Sequence, residues 1–468
     1  MTPRILVGFA IAARLALALD YTFVPVPGNA NIETQLISTI PTGTFTANNT
    51  LATPFSIPAT SGKCGTSGNA PCNAYIGQLG NGQSLTLNVS VPNATDVYTL
   101  MNATSPPTGA QLFTITFIGS QGATLTFPLI AGADIRDYAQ GIFANTLTNG
   151  ISGVQALNAF SCVDPATCLG SGGSGNVLTG EKATYVADEQ HFSLGTAFIG
   201  QTLTQIVLTD TYGGKPELLL MGATIGSLGQ PAISSGGVVP IDSSVNTIES
   251  GSWISIYGTN LAAGTATWNG DFPIMLGDTS VTIDNRPAYL WYVSPTQINA
   301  QVPGDSALGP VNVTVTTPVG SSTSTATLAA YAPSFSLFTA RYPAAIVMTP
   351  GSPGNSGAGY DIIGPSGAFS FPSRPVKPGE ILILFGVGFG PTNPTVPAGA
   401  LFSGAAPSIT NPQILIGNMP AMVQFAGIIE AGLFQFNVVV PNAPSGDQIL
   451  TASIAGVSTQ PGVTITLQ

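Results

Sequence analysis

Charge is what this chain has least of. Only 7% of its 468 residues are Asp, Glu, Lys or Arg, and the 10 basic residues are outnumbered by 21 acidic ones, for a formal net charge of -11. A surface so poor in Lys and Arg has little with which to neutralise phosphates, which excludes nucleic acid and anionic membrane surfaces as partners. The same scarcity argues against helices, whose exposed faces are built largely from Glu, Lys and Arg. Histidine occurs once, as His191, and cysteine four times. A His-rich metal centre is therefore excluded, and any Ser-His-Asp triad would have to use His191 in ADEQHFSLG, where no Gly-x-Ser-x-Gly turn exposes a nucleophile. His191 reads as a polar strand-edge residue. Beyond the N-terminus, Gly, Pro or polar residues interrupt every apolar run before the ~20 residues that cross a bilayer.

What is abundant points to strands and turns. The chain is 44% hydrophobic and holds 56 Gly and 38 Pro among many Thr, Ser, Val and Ile. That composition suits short β-strands joined by tight turns, so the fold class is read as all-β. At this length the chain exceeds one hydrophobic core and divides into about three domains of roughly 100 to 200 residues.

The N-terminus, MTPRILVGFAIAARLALALDYT, places Arg4 before an apolar run and Ala16-Leu17-Ala18 where a signal peptidase accepts small residues, although Arg14 interrupts the run. Residues 1–18 are read as a signal peptide and the protein as secreted or on the cell surface. Export fits the cysteines, which fall as two close pairs in loops, Cys64 with Cys72 and Cys162 with Cys168. Two local disulfides are expected, each contributing about 2.5 kcal/mol by loop closure. Zinc is disfavoured, because neither pair has a C-x-x-C spacing and only one histidine is available.

Residues 19–232 are read as a β-sandwich recognition module. In GQSLTLNVSVP, Leu85, Leu87, Val89 and Val91 alternate with Thr86, Asn88 and Ser90, as in a strand covering a core on one face. AGADIRDYAQGIFANTLTNGI is one of the few places for a short helix or a long irregular excursion. A Gly, Ser and Pro boundary follows at 227–240. Three sequence blocks then recur in order, placing two similar domains at 233–336 and 376–468, joined over 337–375 by a hairpin of AAIVMT against GYDIIG. In the most distinctive block, YVSPTQINAQVP, Ile298, Ala300 and Val302 alternate with Gln297, Asn299 and Gln301. The second copy keeps Gln435 and Asn437 but has Val439 in place of Gln301. A Gln-x-Asn pair that persists in both copies reads as a structural device pinning adjacent turn backbone.

The blocks Gly251 to Leu261 with Val281 to Ala288, and Gly379 to Phe389 with Ile414 to Ala421, resemble the TIG or IPT class of immunoglobulin-like domain. More closely, the pair resembles the C-terminal region of a family of secreted proteins of soil bacteria marked by YVSPTQINAQVP and the later QFNVVVP. That resemblance implies fold and compartment and no activity. The segments NVSVPNATDVYTLMNAT, ADIRDYAQGIFANTL and FIGQTLTQIVLTDTYGGKPELLLMGATI are similar to discoidin or jelly-roll modules, which implies a sandwich whose end loops hold a sugar or calcium.

Candidate chemistry is sparse. Asp134 and Asp137 supply hard oxygen donors for calcium, without an EF-hand loop or Gly-rich repeat, and Arg136 between them offers neutralisation instead. Asp134 with Asp137, or Asp188 with Glu189, are the carboxylate clusters open to a glycosidase, which needs two groups facing across a cleft. Trp268, in GTATWNGDFP, is the best candidate for an exposed aromatic platform, while Trp253 and Trp291 fall in strand patterns and read as core. Taken together, these features describe a secreted, non-enzymatic binding or adhesion protein directed at an extracellular glycan or protein, with immunoglobulin-like spacer domains and no cofactor unless calcium. The alternatives are a carbohydrate-active hydrolase using carboxylates of the first module, and a structural surface-layer or filament subunit.

Overall fold

The structure is a computed structural model describing residues 19–29, 43–47, 52–58, 74–138, 146–147, 152–155, 160–161, 184–185, 188–350 and 358–468. The leader at 1–18 and Cys64, Cys72, Cys162 and Cys168 lie outside the described residues. Among those described, every regular element is a strand and no helix occurs. The chain forms two compact units, divided between Gly229 and Gln230.

In the first unit two antiparallel sheets enclose one core. One runs Leu19–Val24, Leu218–Leu228, Ala94–Ala103, Asp188–Ser193, Ser152–Gln155, with Tyr75–Gly77 also on Leu218–Leu228. The other runs Ser84–Pro92, Thr202–Asp210, Gln111–Gly119, Thr124–Ile130. Leu87 and Val91 point inward from Ser84–Pro92, as their alternation demands, and meet Phe113, Phe117, Phe192, Leu203 and Ile206. Strand Leu218–Leu228 is buried on both faces for nearly its whole length. Part of its outer face is covered by the hairpin of Gly43–Thr46 and Pro54–Ile57, to which Thr224 is tied by a 2.8 Å bond from Oγ1 to the Pro54 carbonyl. Ala131 to Tyr138 is irregular, holding two isolated bridges and no helix.

The second unit carries both repeats. In the first, the sheet Ala232–Pro240, Trp253–Thr259, Gln297–Gln301, Tyr289–Val293, Ala266–Thr267 packs on a sheet centred on Gly309–Thr317 and Gly320–Ala329. Ile298, Ala300 and Val302 are in its core beside Ile254, Ile256, Val313 and Leu328. In the second repeat, the strands Ile381–Val387 and Leu433–Val439 correspond to Trp253–Thr259 and Gln297–Gln301, with Phe335, Phe389 and Phe436 at the centre of the core. The twelve-residue strand Met419–Glu430 pairs with Gln413–Ile416 at its start and with Leu433–Val439 from Met422 on, the second pairing bulging at Val423/Phe425. The hairpin of Ala345–Pro350 and Ala358–Ile362 forms and adds two strands to this sheet through Ala345–Leu384. Gly258 and Gly386 occupy equivalent strand ends. There the carbonyls of Ala232 and Ser334 sit too close for any Cβ, so close approach, with φ in neither case positive, is what requires glycine.

Candidate functional site

LDYTFV, the first described strand, places Leu19, Tyr21 and Phe23 on one face of its sheet, since alternate residues share a side. Register then builds a row across four strands: Phe23 opposite Thr224, Thr224 opposite Tyr98, and Tyr98 opposite His191. The adjacent row is Tyr21, Gly226, Asp96 and Ser193. Gly226 carries no side chain, and Tyr21 comes within 6.3 Å of Tyr98. His191 lies flat on Tyr98, with centroids 4.6 Å apart and planes 8° from parallel, and its Nε2 is 2.7 Å from Asp96 Oδ1. The covering hairpin reaches this row at Thr224, which is fully buried, and the edge strand stays exposed: Tyr21 and Phe23 are 38% and 37% exposed, while Asp96 and Tyr98 are buried.

Burial, and after it the nearby Asp96 carboxylate, pushes the Tyr98 hydroxyl well above its ordinary value; the same two causes, in the same order, raise Tyr21. Both phenols therefore remain O–H donors near neutral pH. The site thus offers the exposed Tyr21 and Phe23 rings and the Tyr21 phenol, above a buried Tyr98 and an Asp96–His191 hydrogen-bonded pair. Apolar ring faces with a few fixed polar groups bind flat, hydroxylated molecules. Sequence reading passed over Tyr21, Phe23 and Tyr98, whose convergence depends on strand order. It placed His191 on a strand, but not against Asp96, 95 residues away. Among the described residues no serine hydroxyl or thiol hydrogen-bonds His191.

Asp134 and Asp137 are both buried and serve backbone. Asp134 Oδ2 accepts from the Ile130 amide and Asp137 Oδ2 from the Ser105 amide, each at 2.9 Å. No cluster of three or more His, Cys, Asp or Glu suited to a metal ion occurs among the described residues. Arg136, instead of sitting between these two aspartates, reaches Asp188 with Nε–Oδ2 and Nη2–Oδ1 distances of 2.7 Å. Asn102 Nδ2 donates to the same carboxylate at 2.7 Å. Burial raises the Asp188 carboxyl more than Arg136 and Asn102 lower it. Asp188 and Glu189, adjacent in one strand, point to opposite faces and do not face each other across a cleft.

Trp268 is half-buried, not a free-standing platform. Its ring packs edge-on against Trp253 at 5.5 Å and Phe272 at 4.7 Å, in a cluster with Ile241, Val387 and Ala431. This cluster seals the two repeats together. Trp253 Nε1 donates to the Ala431 carbonyl at 2.7 Å, and the Tyr289 ring lies against Gly399, where a Cβ would not fit. Gln301, fully buried here, accepts from Gly399 N and donates to the Gly251 carbonyl, both at 2.9 Å. The buried Glu249 of the first repeat accepts from Gly390 N of the second at 3.0 Å. In YVSPTQINAQVP, Gln297 Nε2 donates to Asn299 Oδ1 at 2.8 Å, and Gln435 to Asn437 at 2.7 Å in the second copy. The persistent pair therefore bonds side chain to side chain; turn backbone is bonded by Ser294, whose Oγ accepts from Gln297 N.

The model of the IPT/TIG domain matches residues 238–331. No curated protein is similar to the chain in sequence at a significant level. Among solved structures, the chain is similar to SGBP-B of the Bacteroides ovatus mixed-linkage glucan utilization locus, in complex with a mixed-linkage heptasaccharide, at 9% identity over 60% of this chain and 58% of that one, with a TM-score of 0.24. It is similar to the gamma-CGTase of alkalophilic Bacillus clarkii at 12% identity, over 59% of this chain and 31% of that one, with a TM-score of 0.17. For the plexin A4 extracellular region the values are 9% identity, 82%, 34% and 0.19. The chain spans less than two thirds of each of these proteins. Its strand order, the two facing sheets and the family match together identify residues 238–331 as an IPT/TIG domain.

Proposed function

We propose that the chain is an exported, non-enzymatic protein that binds an uncharged glycan on the open aromatic face of its N-terminal module, with the two immunoglobulin-like repeats as the carrier. In this reading 1–18 is the leader, 19–232 the recognition module, 233–336 and 376–468 the carrier domains, and 337–375 the connecting hairpin. The observation that carries it is the row Phe23, Tyr98 and His191 with Tyr21 beside it and Asp96 bonded to His191. The Tyr21 and Phe23 faces stack on the apolar face of a pyranose, the Tyr21 hydroxyl meets its hydroxyl edge, and the buried Tyr98 and Asp96–His191 pair hold the platform from beneath. A chain of net charge -11 disfavours acidic polysaccharides, hence a neutral glycan.

Affinity electrophoresis through gels containing neutral or acidic polysaccharides tests this. Retardation by a neutral glycan, reduced about ten-fold or more in the double variant Tyr21→Ala/Phe23→Ala, is expected. Retardation that the double variant leaves intact would overturn the site, and release of reducing sugar by the wild type would overturn the non-enzymatic reading.

A further inference from the structure

The two repeats carry the same carboxamide pair in different surroundings. On the outer face of the first, Gln297 stands opposite Tyr257, and Asn299 stands between Ser255 and Tyr292 of the flanking strands. The equivalent neighbours of Gln435 and Asn437 in the second are Phe385, Ile383 and Phe425. Every hydroxyl of the first patch is a hydrocarbon in the second, where the Gln–Asn bond persists without it. Folding alone therefore does not call for Tyr257, Ser255 and Tyr292. Cover differs as well: Phe385 is 3% exposed, in a cluster with Ala344, Ile346 and Ile383, whereas Tyr257 is 41% exposed.

The hydrogen bonds of the first patch leave particular atoms over. Asn299 Oδ1 accepts from Ser255 Oγ at 3.0 Å and from Gln297 Nε2 at 2.8 Å, which turns Asn299 Nδ2 away from Ser255. Among the described residues that Nδ2 has no acceptor, although Asn299 is only 5% exposed. A donor so deeply placed destabilises the fold until an acceptor reaches it. Gln297 Oε1 and the hydroxyls of Tyr257 and Tyr292 have no described partner either. No Asp, Glu, Lys or Arg occurs on any of the five strands of this sheet.

We propose that Tyr257, Tyr292, Gln297 and Asn299 form a second binding site for an uncharged glycan, on the first repeat itself and independent of the N-terminal one. Gln297 Oε1 only accepts, Asn299 Nδ2 only donates, and the two tyrosyl hydroxyls do either; sugar hydroxyls, each both donor and acceptor, answer all of them. The exposed Tyr257 ring supplies the apolar face on which a pyranose stacks. A peptide strand would join a sheet through unpaired backbone at its edge, whereas Trp253–Thr259 and Gln297–Gln301 are interior strands paired on both sides. Size separates a glycan from a folded protein. Two rows about 7 Å apart over three strands about 5 Å apart cover on the order of 100 Å², against about 800 Å² per partner in a stable protein interface. The next row, Trp253, Gln301 and Tyr289, is already covered by the second repeat, so the patch does not extend that way.

Affinity electrophoresis of the full chain in gels of soluble glucan, galactomannan or arabinoxylan tests the proposal. The Tyr21→Ala/Phe23→Ala background removes the N-terminal platform and so separates the two sites. Retardation by one of these glycans is expected to remain in that background. It should fall about ten-fold or more with Tyr257→Ala and weaken with Tyr292→Phe, which installs a hydrocarbon as in the second repeat, both at an unchanged melting temperature. Tyr360→Ala, exposed on the hairpin, is the control and should leave retardation unchanged. No retardation in that background, or retardation that both variants leave intact or that the control lowers equally, overturns the proposal whatever the N-terminal site does.

Discussion

The His191 imidazole rests on the Tyr98 ring at 4.6 Å while its Nε2 meets Asp96 at 2.7 Å, so one side chain both completes an aromatic row and satisfies a buried carboxylate. The two roles separate by substitution. His191→Phe keeps the stacking and leaves Asp96 without this partner, which should cost about 1–3 kcal/mol, the penalty of an unsatisfied buried acceptor. Asp96→Asn with His191 intact keeps a hydrogen-bond acceptor and should cost less. Urea denaturation of the two variants checks the order, and a His191→Phe chain as stable as wild type would show that Asp96 is solvated.

Between the repeats, Glu249 gives a distinct pH signature. Burial pushes its carboxyl up to about 8, against the lowering pull of the Gly390 and Ala332 amides, and burial takes Asp242 up to about 6 against the Leu337 amide. A carboxyl raised on folding contributes stability that is complete below its unfolded value near 4.5 and is lost as pH rises through the folded value. The melting temperature of the second unit should therefore fall between about pH 5 and pH 9, by a free energy on the order of 4 kcal/mol. Glu249→Gln places an amide NH2 beside backbone N–H groups, so it should lower stability at pH 5 and flatten the decline above pH 6. Calorimetry at several pH values reads both effects.

Much of the fold is legible in the sequence because its signals are local. The alternation of Leu85, Leu87, Val89 and Val91, and of Ile298, Ala300 and Val302, is fixed by the pleat of a single strand, and these residues are where that period puts them. The repeat is legible because Trp253 and Ile381, or Gln301 and Val439, occupy like places in like blocks. The site is not legible for the opposite reason. Phe23, Tyr98 and His191 come from three stretches, and only a strand order in which Leu218–Leu228 lies between the first two brings them into a row. The half-burial of Trp268 is not legible either, because a Gly and Asn loop signals exposure locally, whereas its cover comes from Trp253 and Phe272.

Arg136 and Asp188 set a prediction about calcium. With both Arg136–Asp188 contacts at 2.7 Å and the Asp134 and Asp137 carboxylates each bonded to a backbone amide, the acidic segment is occupied by protein donors. Added calcium should leave the melting temperature unchanged, whereas Arg136→Met strands a buried carboxylate and should cost about 3–5 kcal/mol. Thermal unfolding with calcium, and then with chelator, checks the first, and chemical denaturation the second. A melting temperature that rises with calcium would restore the metal site.

The difference between Gln301 and Val439 bears on how the repeats are joined. Gln301 is polar because it serves Gly399 of the neighbouring repeat and Gly251 of its own, while Val439, half-buried, stands between the exposed Ile381 and Met422. Gln301→Val makes the first repeat match the second at this position and leaves a buried amide and a buried carbonyl unpaired, a loss of about 2–4 kcal/mol. Val439→Gln, at the half-buried equivalent, leaves no backbone group unpaired and should cost less, about 1 kcal/mol or under. Because Gln301 acts between the repeats, its loss should also uncouple them, so that a single calorimetric transition for the second unit splits in two. Trp253→Phe, which removes the indole N–H to Ala431 and part of the ring packed against Trp268 and Trp291, should move the same way. If Gln301→Val lowers the melting temperature but leaves one sharp transition, the aromatic cluster and the Glu249–Gly390 bond suffice to couple the repeats.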